Sequence, residues 1–154
     1  MRVSKETLYF KGKVKNHDSM TNPENGWVEG FYFQDLCGGE IKHFIRSGEM
    51  IWEVIPESIH QQLPLKDTDG NILCDGDIVN IMCNDGSNAN CLIGFNKDDM
   101  AWGLMEAHYY KLMKEGHYKI DDFRNTFLLN CFKGDTVIRI MGNIFENEKL
   151  LMSE

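Results

Sequence analysis

Apolar and polar residues alternate over the first third of the chain with the two-residue period of β-strands. Residues 8–15 form one such run, and residues 27–33 form a second that is dense in aromatic side chains, which favour strands. The polar residues 16–26 between them are rich in turn formers. The pattern predicts two antiparallel strands joined by a long exposed loop.

A second hairpin is predicted immediately afterwards. Residues 41–46 and 50–55 are strand-like runs on either side of a Ser-Gly pair, a connection typical of hairpins. Pro56 ends the last run, because proline lacks the N–H that a strand would donate. The residues that follow, 56–63, are predicted to make a single helical turn.

Two tight turns lie close together in the middle of the chain. Asp69 and Gly70 form the first, and Gly76 and Asp77 mark the second. Glycine enters the positive-φ positions of such turns without steric cost. The alternating residues 78–81 follow directly. Closely spaced turns before such a strand are typical of a small, strongly bent β-barrel.

The apolar spacing changes after residue 103. Apolar side chains then recur at the i, i+4, i+7 and i+8 intervals of a helix, at Met105, Tyr109, Leu112 and Met113. Gly116 stands where a helix C-cap belongs. A similar spacing over residues 120–131 favours a second helix, with a strand over residues 126–129 as the alternative. Residues 103–133 are therefore predicted to be a helical pair inserted into a β protein.

The chain closes with another strand. Residues 135–141 have strand character, and Gly142 with Asn143 marks a turn after them. The predicted fold class is mainly β with a small α insertion. A soft boundary separates an N-terminal β-hairpin extension, residues 1–55, from a second region, residues 56–154.

Charge narrows the classes of partner. The 154 residues include 16 Lys and Arg against 24 Asp and Glu, a formal net charge of −8. Sequence-independent binding to nucleic acid needs basic side chains that neutralise phosphates, so this balance argues against such a partner. No apolar run reaches the ~20 residues of a membrane-spanning helix, and the first six residues lack the apolar core of a signal peptide. These features predict a cytoplasmic protein with no membrane partner.

The cysteines and acidic residues do not suggest a metal site. Five cysteines are present, an odd number without a CxxC pair: Cys37, Cys74, Cys83, Cys91 and Cys131. Without a secretory signal we expect reduced, mostly buried thiols and no structural zinc. A calcium loop beginning at Asp67 would need Gly and Glu where the chain has Ile72 and Ile78. We therefore expect no metal and no cofactor.

The sequence selects no catalytic group. It contains no G-x-S-x-G nucleophile elbow, no P-loop and no G-x-G-x-x-G fingerprint. The spacing of its Cys, Ser and His residues picks out no nucleophile with a neighbouring base. We therefore expect no catalytic residues, and the chain is not predicted to be an enzyme.

The aromatic strand is the better functional lead. Alternation along residues 27–33 places Phe31 and Phe33 on one face and Tyr32 on the other, with Trp27 at the start. A small barrel covers one face of such a strand. The other face is then free for a partner, which includes a second copy of this chain, unless the inserted helices cover it. These four aromatic residues are the candidate binding residues.

Three segments of the chain follow a known pattern in order. They are residues 10–13 (FKGK) with 26–32 (GWVEGFY), residues 55–58 (IPES) with 65–79 (LKDTDGNILCDGDIV), and residues 140–151 (IMGNIFENEKLL). Together they bracket nearly the whole chain and resemble the YopX-like proteins, a family found mostly in bacteriophages and prophages. The chain departs from that pattern at Leu63, Pro64 and Glu148, and its stretch from 105 to 133 is longer than the pattern implies.

The resemblance implies an SH3-like β-barrel core from about residue 60 onward, after a strand-rich N-terminal extension. Residues 56–154 are then expected to be a YopX-like barrel with the helical insertion near residues 103–133. The resemblance also makes homo-oligomers an expectation. The family carries no established activity, so no catalytic residue is transferred. The family's Asp-Gly and Gly-Asp positions correspond to turn-making residues here: Asp69, Gly70, Gly76 and Asp77.

The resemblance thus implies a phage- or prophage-encoded accessory protein in the host bacterial cell. It would act through protein contacts, with a host or phage protein or by self-association. The alternative is a nucleic-acid-binding accessory module, because small barrels often present aromatic side chains and a groove to single strands.

Overall fold

The computed structural model describes residues 9–16, 23, 25–96, 100–117 and 135–153. Its contacts divide the chain into two compact units, Met1–Gln62 and Leu63–Glu154. Antiparallel strands account for 57% of the structure and helices for 16%, so the predicted mainly β class is confirmed.

Where the structure describes it, the first unit is built mainly from four antiparallel strands. They are β1 (Phe10–Lys13), β2 (Trp27–Cys37), β3 (Glu40–Ser47) and β4 (Met50–Glu53). Consecutive strands pair in the order β4-β3-β2-β1, which confirms both predicted hairpins. The helical turn predicted over residues 56–63 is present only at Pro56–Ser58, a short 3-10 helix with proline in its first turn, because the chain is already in a strand from His60. Strand β5 (His60–Lys66) follows, and its first residues pair with β1.

The four strands curl around a small apolar core. Val14, Val28, Ile45 and Val54 are its buried members. An isolated bridge joins Val14 to Val54, so the chain just after β1 contacts the chain just after β4. The hydroxyl of Ser58 strengthens this junction, because its Oγ accepts from the backbone N–H of Lys13 at 2.8 Å. One face of the sheet therefore packs on this core, and the opposite face is exposed.

Among the described residues, the second unit contains the remaining strands and three helices. They are the end of β5, β6 (Ile72–Cys74), β7 (Asp77–Met82), β8 (Asn88–Asn96), β9 (Ala101–Glu106), α1 (Ala107–Lys114), β10 (Val137–Asn143), α2 (Ile144–Asn147) and α3 (Lys149–Met152). The strands pair as β5-β6 and as β10-β7-β8-β9. Apolar side chains of β7 and β8 contribute to two clusters: Val79 and Ile93 belong to one, while Ile78 and Leu92 pack with α1 and α3 in the other.

The first predicted helix begins later than expected. Met105 lies on strand β9, and α1 starts at Ala107. Met105 is buried in the same cluster as Tyr110 of the helix, whereas Tyr109 and Met113 of the predicted stripe are partly buried and pack against that cluster. The predicted cap at Gly116 is confirmed: its φ is 80°, and the N–H of His117 donates to the carbonyl of Leu112 at 2.8 Å. The second predicted helix and the alternative strand lie outside the described residues.

The turn between β5 and β6 is held by a buried carboxylate. Asp67, which is 7% exposed, accepts hydrogen bonds from the backbone of Asp69 and Asn71, from the Asn71 side chain and from the backbone of Ile140. Thr68 also exchanges two hydrogen bonds with Ile138 of β10. The calcium-like pattern in the sequence is thus a turn whose carboxylate is occupied by N–H donors.

The predicted turn residues divide between turns and strand ends. Asp69, Gly70 and Gly76 lie in turns, with φ of 87° at Gly70 and 82° at Gly76. Asp77 is instead the first residue of β7, where its Oδ2 accepts from the N–H of Cys74 at 2.7 Å.

Gly142 and Asn143 are the last residues of β10 rather than a separate turn. The strand runs on because both pair with β7, after a register shift between Ile140 and Gly142. The side chain of Asn143 caps α2 by accepting from the N–H of Glu146 at 2.9 Å.

Over the part of the chain that the structure describes, neither sheet closes on itself, so an SH3-like barrel is not established. Within the same ranges, no helix has the length and apolar character needed to cross a membrane.

Candidate interaction surface

Strand β2 separates the aromatic candidates onto its two faces. Val28 is buried against the core of the first unit, whereas Phe31 is 49% exposed and Phe33 is 36% exposed on the opposite face. Alternation of side chains along a strand accounts for this split, because Phe31 and Phe33 are an odd number of residues from Val28. The two phenylalanines therefore stand together on the outer side of the sheet.

The register of β2 and β3 places further side chains beside them. Phe31 lies opposite Arg46, and Phe33 lies opposite Phe44, with the two phenylalanine rings stacked 5.3 Å apart. Ile51 of β4 pairs with Arg46 and is 54% exposed. We call this set the aromatic face: Phe31, Phe33, Phe44, Arg46 and Ile51. A shallow groove on it is lined by four of these residues and by Gly48.

Tyr32 does not join the aromatic face. Its hydroxyl lies 2.7 Å from Nδ1 of His43 and accepts from Nε2 of Gln34 at the same distance. Its ring stacks on His43 and lies 5.5 Å from Phe10. Tyr32 thus fixes β2 and β3 to each other on the other side of the sheet.

Trp27 is half-buried at the start of β2. The ammonium groups of Lys11 and Lys13 lie 5.3 and 5.5 Å from its ring centroid, within the range of cation–π attraction. The ring of His60 lies 6.3 Å away. Burial lowers the pKa of His60 below its ordinary value, with Lys11 acting in the same direction, so His60 is neutral at pH 7.

Charges of both signs border the aromatic face. Asp35 of β2 lies opposite Lys42 of β3. Lys42 also lies 3.9 Å from a carboxylate oxygen of Glu53, and Lys15 lies 3.1 Å from the other. The charges beside the aromatic face are therefore of both signs, whereas a surface that attracts a polyanion is mostly positive.

The described residues include potential metal-ligating side chains and four of the five cysteines. No group of three or more His, Cys, Asp or Glu side chains is gathered at metal-binding distance among them. Of the four described cysteines, Cys74 and Cys91 are buried, Cys37 is half-buried and Cys83 is exposed, and none of the four forms a disulfide.

Sequence reasoning missed Phe44, Arg46 and Ile51. The sequence held part of this information, because a two-residue turn at Gly38 and Gly39 fixes the register of the strands that it joins. That register alone would have placed Phe44 beside Phe33.

Comparisons with models of known protein families, with curated proteins and with solved structures find no match. The function is therefore argued from the aromatic face.

Proposed function

We propose that this chain is an accessory protein that acts through protein contacts, including contacts with further copies of itself, made by the aromatic face. Its resemblance to YopX-like proteins supports an origin in a bacteriophage or prophage and a place of action in the host bacterial cell.

The exposure of Phe31 and Phe33 carries this proposal. Large apolar side chains that cluster on one outer surface mark interaction sites, whereas scattered ones do not. Here two exposed rings, a third ring and an exposed isoleucine share one face with a guanidinium group. Aromatic and Arg side chains are enriched at the centres of protein interfaces.

Replacement of both phenylalanines tests the proposal. We expect the wild-type chain to show a mass above that of the monomer in concentration-dependent light scattering after size exclusion. The F31S/F33S double variant should remain monomeric, because the apolar area is lost. The L36S/I41S variant is the matched control, since it removes two exposed apolar side chains from the same hairpin but from its other face. A wild-type chain that is monomeric at high concentration would contradict self-association.

A nucleic-acid-binding role is the second candidate, and Trp27 favours it. An aromatic ring flanked by two lysine ammonium groups resembles the arrangement that stacks on single-stranded bases. The net charge of −8 opposes this role. Fluorescence anisotropy with a labelled single-stranded oligonucleotide at low ionic strength decides it, because a lack of binding there eliminates this candidate.

We also propose that the second unit has an SH3-like barrel core. The resemblance supports it, as do the two hydrogen bonds by which Thr68 joins the β5–β6 turn to the edge of β10. In a closed barrel, the amides of Ala101–Glu106 that point away from β8 should be protected from hydrogen exchange. Rapid exchange of those amides would contradict closure.

A further inference from the structure

The outer face of the β2–β3 hairpin carries three cross-strand rows of side chains. Opposed residues share a face, and the next residue on the same face is two positions along the strand. The rows, given as β2 residue and then β3 residue, are Phe31 with Arg46, Phe33 with Phe44, and Asp35 with Lys42. Each row therefore pairs chemically complementary groups: a ring with a cation, a ring with a ring, and an acid with a base.

We propose that this face packs against the same face of a second copy of the chain, about a two-fold axis parallel to the strands and midway between β2 and β3. The proposal rests on the self-association proposed above and specifies its geometry. A half-turn about this axis exchanges the β2 and β3 positions within each row. Phe31 then meets Arg46 of the second copy, and Asp35 meets Lys42 of the second copy. The two Phe33–Phe44 pairs form the apolar centre.

Charge selects this axis over the perpendicular one. A two-fold axis across the strands at the central row would exchange the first and third rows. Arg46 would then face Lys42 of the second copy, which places two cations together where the two faces meet. Like charges brought together in this way disfavour a complex strongly, so the axis parallel to the strands is the complementary arrangement.

The size of the face sets the expected affinity. Sheets that pack face to face lie about 10 Å apart and cross at about −30°, so complementarity extends over a few rows only. The three rows span roughly 14 Å of strand at ~3.4 Å per residue. Tyr9, whose ring lies 5.4 Å from that of Phe31, and Ile51 extend the apolar area at the edges. A face of this extent is small for a specific interface, and we expect a dissociation constant in the micromolar range.

Both charged groups are accessible to a second copy. Asp35 is exposed, and its Oδ1 accepts a local hydrogen bond from the N–H of Leu36. The side chain of Lys42 is 36% exposed and lies at the long distance of 3.9 Å from Glu53. Neither residue belongs to the apolar core of its own unit.

A charge-exchange experiment tests the geometry. Asp35→Lys places two cations against each other in the homodimer, and Lys42→Asp places two anions there. We expect each single variant to associate at least 10-fold more weakly than wild type in sedimentation equilibrium. An equimolar mixture of the two variants should associate with near wild-type affinity, because D35K then faces K42D with opposite charges. The D35K/K42D double variant should likewise recover.

Two controls separate this pairing from general charge effects. Glu57→Lys makes the same charge change as D35K at an exposed position in the 3-10 helix, outside the face, and should leave association within about twofold of wild type. Recovery in the mixture also shows that both single variants are folded. If the wild-type chain forms dimers but the mixture of variants does not regain affinity, the proposed two-fold pairing is wrong and self-association itself still stands. A monomeric wild-type chain would overturn both the proposed self-association and the pairing.

Discussion

At the scale of single residues, buried polar side chains hold the turns of the second unit in place. The carboxylate of Asp67 accepts backbone hydrogen bonds from its own turn and from Ile140, about seventy positions along the chain. Burial by itself would raise the pKa of Asp67, but the hydrogen bonds from Asn71, Ile140 and Asp69 outweigh it and hold that pKa below its ordinary value. The ionised form is therefore the one that stabilises the fold.

Asp67→Asn should lower the free energy of unfolding by about 1–3 kcal/mol at neutral pH, because an amide group would face N–H donors. A lowered folded pKa gives stability that is complete above the ordinary value of 3.8 and is lost as the pH falls through the folded value. Urea denaturation at several pH values should show that the difference in unfolding free energy between wild type and D67N decreases as the pH falls. The exposed Glu57→Gln change is the control, and a difference that does not vary with pH would contradict this account.

At the scale of elements, glycines set how closely neighbouring segments approach. Gly142 lies near the end of strand β10 against the side chain of Asn147, and a Cβ at that position would overlap the Asn147 amide. Asn147 in turn accepts from the N–H of Asn143 at 3.1 Å, so the strand and helix α2 fix each other.

Gly142→Ala should cost about 1–3 kcal/mol of unfolding free energy through this overlap. A double-mutant cycle with Asn147→Ala checks the cause, because removal of the amide makes room for the added methyl group. The cost of G142A should be smaller in the N147A background. Equal costs in both backgrounds would show that the overlap is not responsible.

Gly30 has the same role in the first unit. A Cβ there would fall on the carbonyl oxygen of Arg46, a backbone atom that cannot move without separating β2 from β3. Gly30→Ala should therefore destabilise the chain by more than about 3 kcal/mol, as measured by thermal or urea unfolding. Glu29→Ala, on the exposed face of the same strand, should have an effect within about 0.5 kcal/mol. Similar values for the two variants would contradict the close packing of β2 on β3.

At the scale of the whole molecule, net charge opposes association. Two copies with a charge of −8 each repel by about 3 kcal/mol at ~30 Å and ~0.01 M salt, and by well under about 1 kcal/mol at 0.1 M salt. Exposed ion pairs such as those proposed between Asp35 and Lys42 contribute less than this difference. Raising the salt concentration from about 0.01 to about 0.1 M should therefore strengthen self-association at least about 10-fold in sedimentation equilibrium. Weakening over this range would mean that local ion pairs dominate.

The sequence by itself determined the elements whose causes are local. Alternation fixed the strands of the first unit, and the Gly38–Gly39 connection fixed the register of β2 on β3. Gly116 fixed the end of α1, because a positive φ is costly for other residues. The placement of Phe31 and Tyr32 on opposite faces of β2 also followed from the two-residue period of a strand.

Only the tertiary structure decided what depends on distant parts of the chain. Met105 has helical spacing yet lies in a strand, because its pairing with Leu92 of β8 outweighs the local pattern. Gly142 and Asn143 have the composition of a turn yet extend β10, because β7 offers them hydrogen-bonding partners. Which face of β2 stays exposed was set by the packing of Val14 and Val54 on its other side, a contact between residues forty positions apart.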